Sequence, residues 1–278
     1  MNTTVKRSLS GTVFLAVMLG GLLLGRWPFT ILFAFITATM MEEFYRMTMG
    51  KSYRRLQSLA VSLAIGLFVV VNFELADGES GITALSCGFI FVIALMVASL
   101  FEKDHTDFMK TGFLYAGMLY IGLPLALSNF VVFQEGGTFS GILMIAFFSI
   151  IWASDVGAYC FGLLLGQKIW PAKLCPSISP KKSWAGYVGG LATSVLAGAI
   201  LSWTGLVSFP MVHCLVMAAL MHVAGVFGDL FESMWKRSAG IKDSGNIIPG
   251  HGGLMDRFDS ALFAIPTGYF YLMLFDLV

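Results

Sequence analysis

Long apolar runs are the feature of this sequence that most restricts its fold. A helix needs about 20 consecutive apolar residues to cross the hydrocarbon core of a bilayer, and the chain offers nine runs near that length. Of its 278 residues, 57% are hydrophobic and only 12% are charged, about half the roughly 25% charge of a soluble domain. A soluble all-α core is therefore excluded, because the chain cannot cover such a core with polar surface.

The sequence predicts an all-α integral membrane protein with about nine transmembrane helices. The predicted spans are 9 to 24, 28 to 41, 56 to 73, 81 to 100, 111 to 133, 138 to 161, 184 to 207, 211 to 231 and 256 to 275. The second run is short and follows Arg26, Trp27 and Pro28, which suits a tight interfacial turn or a re-entrant hairpin. Eight full crossings is therefore the alternative. Lys6 and Arg7 precede the first run as in a secretory signal, but no small-residue cleavage site follows, so we expect this run to be retained.

The positions of the cations orient these spans. With nine spans and a cytoplasmic N-terminus, every lysine and arginine except Arg26 falls in a cytoplasmic segment, and such an excess marks the cytoplasmic side. The C-terminus is then extracytoplasmic. The two longest polar segments, 166 to 183 and 232 to 255, both face the cytoplasm, where soluble anionic substrates would meet them.

No repeat of fixed period, low-complexity linker or soluble domain interrupts the chain. We therefore predict a single polytopic membrane domain over residues 1–278. Within it, residues 1–137 form a less distinctive N-terminal half, and residues 138–278 form a catalytic C-terminal half that contains the motifs described next.

Acidic residues lie at the polar ends of two apolar spans. Four residues spaced i, i+3, i+4 and i+7 share one helical face at the end of the eighth span: Asp229, Glu232, Ser233 and Lys236. The ninth span opens with Asp256 and Asp259 on one face. Mg²⁺ often takes one or two carboxylates together with water and phosphate oxygens, so Asp229 and Asp256 are candidate ligands. The alternative is a pair of interfacial acids neutralised by nearby arginines.

The loop between these spans is rich in glycine and in cations. It contains four glycines and a proline between Lys242 and Gly253, and Gly252 and Gly253 directly precede a helix N-terminus, where backbone N–H groups attract anions. Four side chains add donors suited to phosphate: Lys236, Arg237, Lys242 and Arg257. The loop therefore predicts a phosphate site. Three roles stay open for His251: general acid, phosphate ligand or helix cap.

A second basic segment precedes the seventh span. Four of its residues are suited to nucleotide phosphates: Ser179, Lys181, Lys182 and Ser183. The alternative is a juxtamembrane patch that binds anionic lipid headgroups.

Asp155 lies inside the sixth span, where an acid usually faces a bundle interior or a watery cavity and is functional. The alternative is that Asp155 forms an ion pair with a lysine and serves only stability.

The C-terminal half resembles the phosphatidate cytidylyltransferases, also called CDP-diacylglycerol synthases. The main match covers 27 residues from Ser233 to Asp259 and contains Lys236-Arg237, Lys242-Asp243, Gly245, Ile248-Pro249, His251-Gly252-Gly253-Leu254 and Asp256-Arg257-Phe258-Asp259. Shorter matches in the family's order are Asp155-x-Gly157-Ala158-Tyr159, Ser179-Pro180-Lys181-Lys182-Ser183-Trp184 and Gly228-Asp229-Leu230. The sequence departs from the family's usual pattern at Trp235, where an aliphatic residue or Phe is common, and at Ala185, where Glu is common.

The resemblance implies that CTP and phosphatidate react to give CDP-diacylglycerol and pyrophosphate in phospholipid biosynthesis. It implies a Mg²⁺ ion on Asp229 and Asp256, with a second cation as a further option. The catalytic residues it implies are Asp229, Asp256, Ser233, Lys236, Arg237, Lys242, Asp243, His251, Arg257 and Asp259. The nucleotide- and phosphate-binding residues are Ser179, Lys181, Lys182, Ser183, Gly252, Gly253 and Asp155.

The resemblance also implies a location and partners. We expect a bacterial cytoplasmic membrane, with the active site facing the cytoplasm and phosphatidate entering from the inner leaflet with its acyl chains left in the lipid. Membrane lipids surround the protein, no nucleic acid binds, and a homodimer is a further expectation. Two other functions stay open. One is a different CTP-using membrane enzyme, such as a polyprenol or phytol kinase or a transferase acting on another lipid phosphate, and the other is a transporter with Asp155 and Asp229 as intramembrane ion sites.

Overall fold

Long apolar helices dominate the computed structural model, which describes residues 3–102, 108–167, 169–250 and 252–278. Six helices within these ranges have the length and composition of membrane spans: α3 (Arg54–Ala76), α4 (Ile82–Ser99), Met109–Val132, α7 (Ile142–Leu164), α8 (Trp184–Trp203) and α9 (Met211–Ser238). The segment Met109–Val132 contains α5 (Phe108–Gly117), a π-helical turn (Met118–Gly122) and α6 (Leu123–Val132). The prediction of a helical multi-pass membrane protein is therefore confirmed.

The remaining helices coincide with the other three predicted spans. They are α1 (Thr3–Leu23), α2 (Arg26–Thr48), α10 (Met255–Phe258) and α11 (Ala261–Leu274). An apolar segment covers Ser8–Leu23 of α1, α2 carries charged residues at both ends, and α11 has 14 residues with Pro266 inside. α2 is thus more polar and α11 shorter than a full span, and the count of nine stays a prediction.

The chain divides into two compact units. The first contains Met1–Gly141 and Ile241–Arg257, and the second contains Ile142–Gly240 and Phe258–Val278. The boundary at residue 141 lies close to the predicted division between residues 137 and 138. The assignment of residues 241–257 to the first unit was not predicted, since the whole match from Ser233 to Asp259, which we call the signature, was expected to belong to the C-terminal half.

The first unit has an aromatic core and a buried polar network. The ring centroids of Phe29 and Phe33 are 4.4 Å apart, and both side chains are fully buried. Arg26, next to the turn between α1 and α2, donates from Nε to Asn72 Oδ1 at 2.9 Å, and Asn72 Nδ2 donates to Asn129 Oδ1 at 2.8 Å. These bonds satisfy amide groups that would otherwise be costly inside an apolar bundle.

Small residues let the helices of the second unit approach closely. A Cβ at Gly198 of α8 would lie 2.6 Å from the carbonyl oxygen of Cys214 on α9, and one at Gly189 would overlap the Phe161 ring of α7. Glycine at such positions is how membrane helices gain van der Waals contact. The result is a tight scaffold of α7, α8 and α9 that carries several of the predicted site residues.

A small β-hairpin precedes α8 in this unit. Strands β1 (Lys173–Cys175) and β2 (Ser179–Ser183) are antiparallel, with Lys173 opposite Ser183. The Ser183 hydroxyl accepts the Gly186 N–H at 3.1 Å and caps α8. These strands could not be predicted from the sequence, because a short Ser-, Pro- and Lys-rich segment lacks the alternating apolar pattern of a strand.

Candidate active site

The β-hairpin brings its second lysine to Asp229 on α9. Lys182 Nζ lies 2.7 Å from Asp229 Oδ2, and both side chains are partly exposed, 25% and 31% respectively. Ser233 Oγ, one turn along α9, donates to Asp229 Oδ1 at 3.3 Å. The basic segment and the acidic helix end, which are separate motifs in the sequence, therefore meet in the second unit.

Asp229 belongs to a group of interacting carboxylates. Asp259 lies between α10 and α11, where the charges of Asp229, Glu232 and Asp155 act on it, and its Oδ1 accepts the Ser260 N–H at 2.6 Å. Either a proton or a cation would relieve this concentration of negative charge.

A buried ion pair lies on the same helix as Asp229. Glu232 is fully buried and pairs with Lys236, which is only 8% exposed. Glu232 lies on the predicted polar face but was not predicted as a site residue. Lys236, predicted to bind phosphate, is thus engaged with a protein carboxylate, whereas the next residue, Arg237, is exposed.

In the first unit, a carboxylate of α2 holds residues 242–254, which we call the signature loop. Glu43 is 3% exposed. Its Oε1 accepts the Leu254 N–H at 3.1 Å, and its Oε2 accepts the Met255 N–H at 2.8 Å. These two N–H groups lie at the start of α10, where helical backbone donors lack partners of their own. Glu43 therefore fixes the start of α10 to α2.

Asp256 is built into the same loop. Its Oδ2 accepts the N–H groups of Ser244 at 2.9 Å and Gly253 at 2.8 Å. Ser244 Oγ lies 3.0 Å from this oxygen and 3.1 Å from Glu43 Oε2, and its single proton can be donated to only one of them at a time. Two carboxylates thus meet at one hydroxyl.

These bonds change the interpretation of the glycine loop. The Gly253 N–H, predicted to bind phosphate, donates to Asp256, because the nearest anions at this helix start are the protein's own carboxylates. A Cβ at Gly245 or Gly253 would overlap the Glu43 carboxylate, and Gly252 has a φ of +84°. The glycines therefore make room for the carboxylates and shape the turn.

The other predicted site residues lie apart from these contacts. Lys181, Lys242, Asp243 and Arg257 are exposed, and Ser179 is partly exposed. Asp155 is exposed on α7, and its charge acts on Asp259. Ser183 is buried in its capping role. His251 lies outside the described residues.

The carboxylates of the site suit a divalent cation that shares its ligands with water and phosphate. Among residues 3–102, 108–167, 169–250 and 252–278, no three His, Cys, Asp or Glu side chains are close enough to hold a metal by themselves. Mg²⁺ commonly takes only one or two protein carboxylates and fills its shell with water and substrate phosphate. Asp229 fits that pattern, because its carboxylate is accessible and its surroundings are acidic.

The apolar helices and these acid and lysine clusters define a membrane protein suited to phosphate chemistry. A model described as the cytidylyltransferase family matches residues 5–275. The chain therefore belongs to the cytidylyltransferase family.

Curated relatives agree with that assignment. The chain is 32% identical to the phosphatidate cytidylyltransferase of Bacillus subtilis over 98% of both chains. It is 33% identical to that of Staphylococcus saprophyticus and 32% identical to that of Staphylococcus aureus, in each case over 91% of this chain and 92% of the relative. The resemblance noted in the signature motifs is thus confirmed over nearly the full length.

Proposed function

We propose that this protein is a phosphatidate cytidylyltransferase, which converts CTP and phosphatidate to CDP-diacylglycerol and pyrophosphate. Membership of the cytidylyltransferase family and the names of the curated relatives support this reaction. The structural observation that carries the proposal is the contact between Lys182 and Asp229, since it joins a cation suited to nucleotide phosphates to an acid suited to a divalent cation.

The reaction requires positioning and charge neutralisation more than proton transfer. A phosphate oxygen of phosphatidate, already ionised near neutral pH, attacks the α-phosphorus of CTP. A new P–O bond forms, the bond between the α-phosphorus and the bridging oxygen breaks, and pyrophosphate leaves with the electron pair. Preorganised cations supply most of the catalysis in such phosphoryl chemistry.

In the second unit we propose roles for the hairpin and for α9. Asp229 would hold Mg²⁺, which when bound would offset charge on the CTP phosphates and on the departing pyrophosphate. Lys182 can neutralise either Asp229 or a phosphate oxygen, and Ser179, Lys181 and Arg237 would add donors from the exposed surface. A requirement for Mg²⁺ over other divalent cations, and a second cation, stay part of the proposal.

In the first unit we propose that the signature loop works as a shaped support. Asp256 holds the loop through Ser244 and Gly253, and its part in metal binding, which the signature resemblance implies, is a separate proposal. Lys242 and Arg257, both exposed, would contact phosphate.

We also propose that the chain spans the membrane nine times with its N-terminus in the cytoplasm. The restriction of all cations except Arg26 to one side supports this orientation. It directs the phosphate-binding residues toward the cytoplasm of a bacterial cell, where CTP is available, and toward phosphatidate of the inner leaflet. A homodimer stays a prediction.

The test is to offer the purified protein phosphatidate and CTP labelled in either of two positions. Label from the α-phosphate in the lipid product supports cytidylyl transfer, whereas label from the γ-phosphate would identify a kinase. Nucleotide-independent substrate uptake into proteoliposomes, without lipid labelling, would identify a transporter.

The variants Asp229→Asn and Asp256→Asn test the two proposed metal ligands separately. A near wild-type rate of cytidylyl transfer in either variant would exclude that residue as a required ligand.

A further inference from the structure

An apolar groove borders the signature loop in the first unit. It has a volume of about 530 Å³ and is lined by one face of α1, one face of α2 and the loop residues Ile247, Ile248, Pro249 and Leu254. This volume lies within the roughly 300–1,000 Å³ of small-molecule sites. We call it the α1–α2 groove.

The groove and the signature loop share a wall. Leu254 lines the groove, while its own N–H is bound by Glu43, and Asp256 follows two residues later. Ser10 Oγ of α1 donates to the Pro249 carbonyl at 3.0 Å, which ties α1 to the loop. An occupant of the groove would therefore contact the same short segment that carries the signature residues.

The lining determines the chemistry of the occupant. Ser10 is the one polar side chain among the described lining residues, and its hydroxyl already donates to Pro249. Val13, Val17 and Phe35 line the groove and are about half exposed. A headgroup would lack partners on such a surface, whereas a hydrocarbon chain would lose nothing on entering it.

We propose that the α1–α2 groove binds one acyl chain of phosphatidate. This inference rests on the proposed function, because that reaction is what brings a lipid with acyl chains to the signature loop. It replaces the expectation that both chains remain in bulk lipid. The groove would make the rate depend on chain length and would align the lipid phosphate relative to the loop.

The experiment compares dioctanoyl and dioleoyl phosphatidate as substrates in the same detergent micelles. Val17→Trp fills the groove, and Leu15→Trp is the matched control, because Leu15 is exposed on the same helix but does not line the groove. One methylene of misfit in an apolar pocket changes the preference between two substrates about tenfold or more. We therefore expect Val17→Trp to raise KM for dioleoyl phosphatidate, and to raise it about tenfold more than it raises KM for dioctanoyl phosphatidate. The control should leave the ratio of the two KM values unchanged.

An unchanged KM ratio in an active Val17→Trp protein would overturn the groove proposal. Because Val17→Trp could fail to fold, wild-type protein is also reacted with a phosphatidate whose acyl chain carries a photoactivatable diazirine. Crosslinks to residues 9–18 or 247–254 support the groove, and crosslinks confined to other segments overturn it. Failure of the wild-type protein to convert either lipid would instead refute the proposed function, so the two failures are distinguishable.

Discussion

Glu43 provides the sharpest test of how the signature loop is held. Glu43→Ala removes the acceptor of two buried backbone N–H groups, those of Leu254 and Met255, and of a contact with Ser244 Oγ. Each buried donor left without a partner costs about 1–3 kcal/mol, so the two N–H groups alone predict a loss of about 2–6 kcal/mol. Glu43→Gln keeps one acceptor oxygen, so it should lose less than Glu43→Ala but more than half as much, since one N–H still loses its acceptor and the other bonds to a neutral oxygen, which makes a bond about half as strong.

This loss should be local, because all three contacts lie within the segment 244–255 and its anchor on α2. Hydrogen exchange measured by mass spectrometry in detergent reports it directly. As each 1.4 kcal/mol is a factor of ten, a loss of at least 2 kcal/mol predicts that amides of this segment exchange about 30-fold faster or more in Glu43→Ala. Cytidylyl transfer should fall in parallel, because Asp256 shares Ser244 with Glu43.

The matched control is Glu42→Ala, which removes the same group from the neighbouring, exposed position. Exchange in the segment 244–255 should stay at the wild-type rate in this variant. Equal protection of the segment in the two variants would refute the reasoning, because it would mean that the carboxylate of Glu43 does not hold the loop.

Two further predictions concern the second unit. Because the charges of Asp229, Glu232 and Asp155 act on Asp259, removing its charge should relieve repulsion among these carboxylates. Asp259→Asn should therefore raise Tm in thermal unfolding with a chelator present, and an unchanged or lower Tm would contradict this cause. Lys182→Met should lower cytidylyl transfer about a hundredfold, the usual effect of losing one charge-stabilising group. Lys173→Met, at an exposed position of the neighbouring strand, should leave the rate near wild type, and similar losses in both variants would indicate a general effect of hairpin charge.

The helices could be predicted because apolar length is a local property. Every predicted run coincides with a helix, and the end of α9 carries Asp229, Glu232, Ser233 and Lys236 on one face as the spacing requires. The contact between Lys182 and Asp229 could not be predicted, since it depends on a β-hairpin that has no apolar alternation. A spacing rule identifies the residues of a motif, but it does not identify the partner that a second motif supplies.

The glycine loop shows a different limit of sequence reasoning. Helix starts attract anions, and that rule predicted an anion at Gly252 and Gly253. The anions in the structure are the carboxylates of Asp256 and Glu43, and Glu43 lies more than 200 residues away in the sequence. An acid among apolar residues near the end of α2 was the available signal, because such an acid needs a partner. The physical rule was therefore right about the charge, but only the fold could identify the residues that carry it. We propose that side chains such as Lys242 and Arg257 add the donors for a phosphate at this loop.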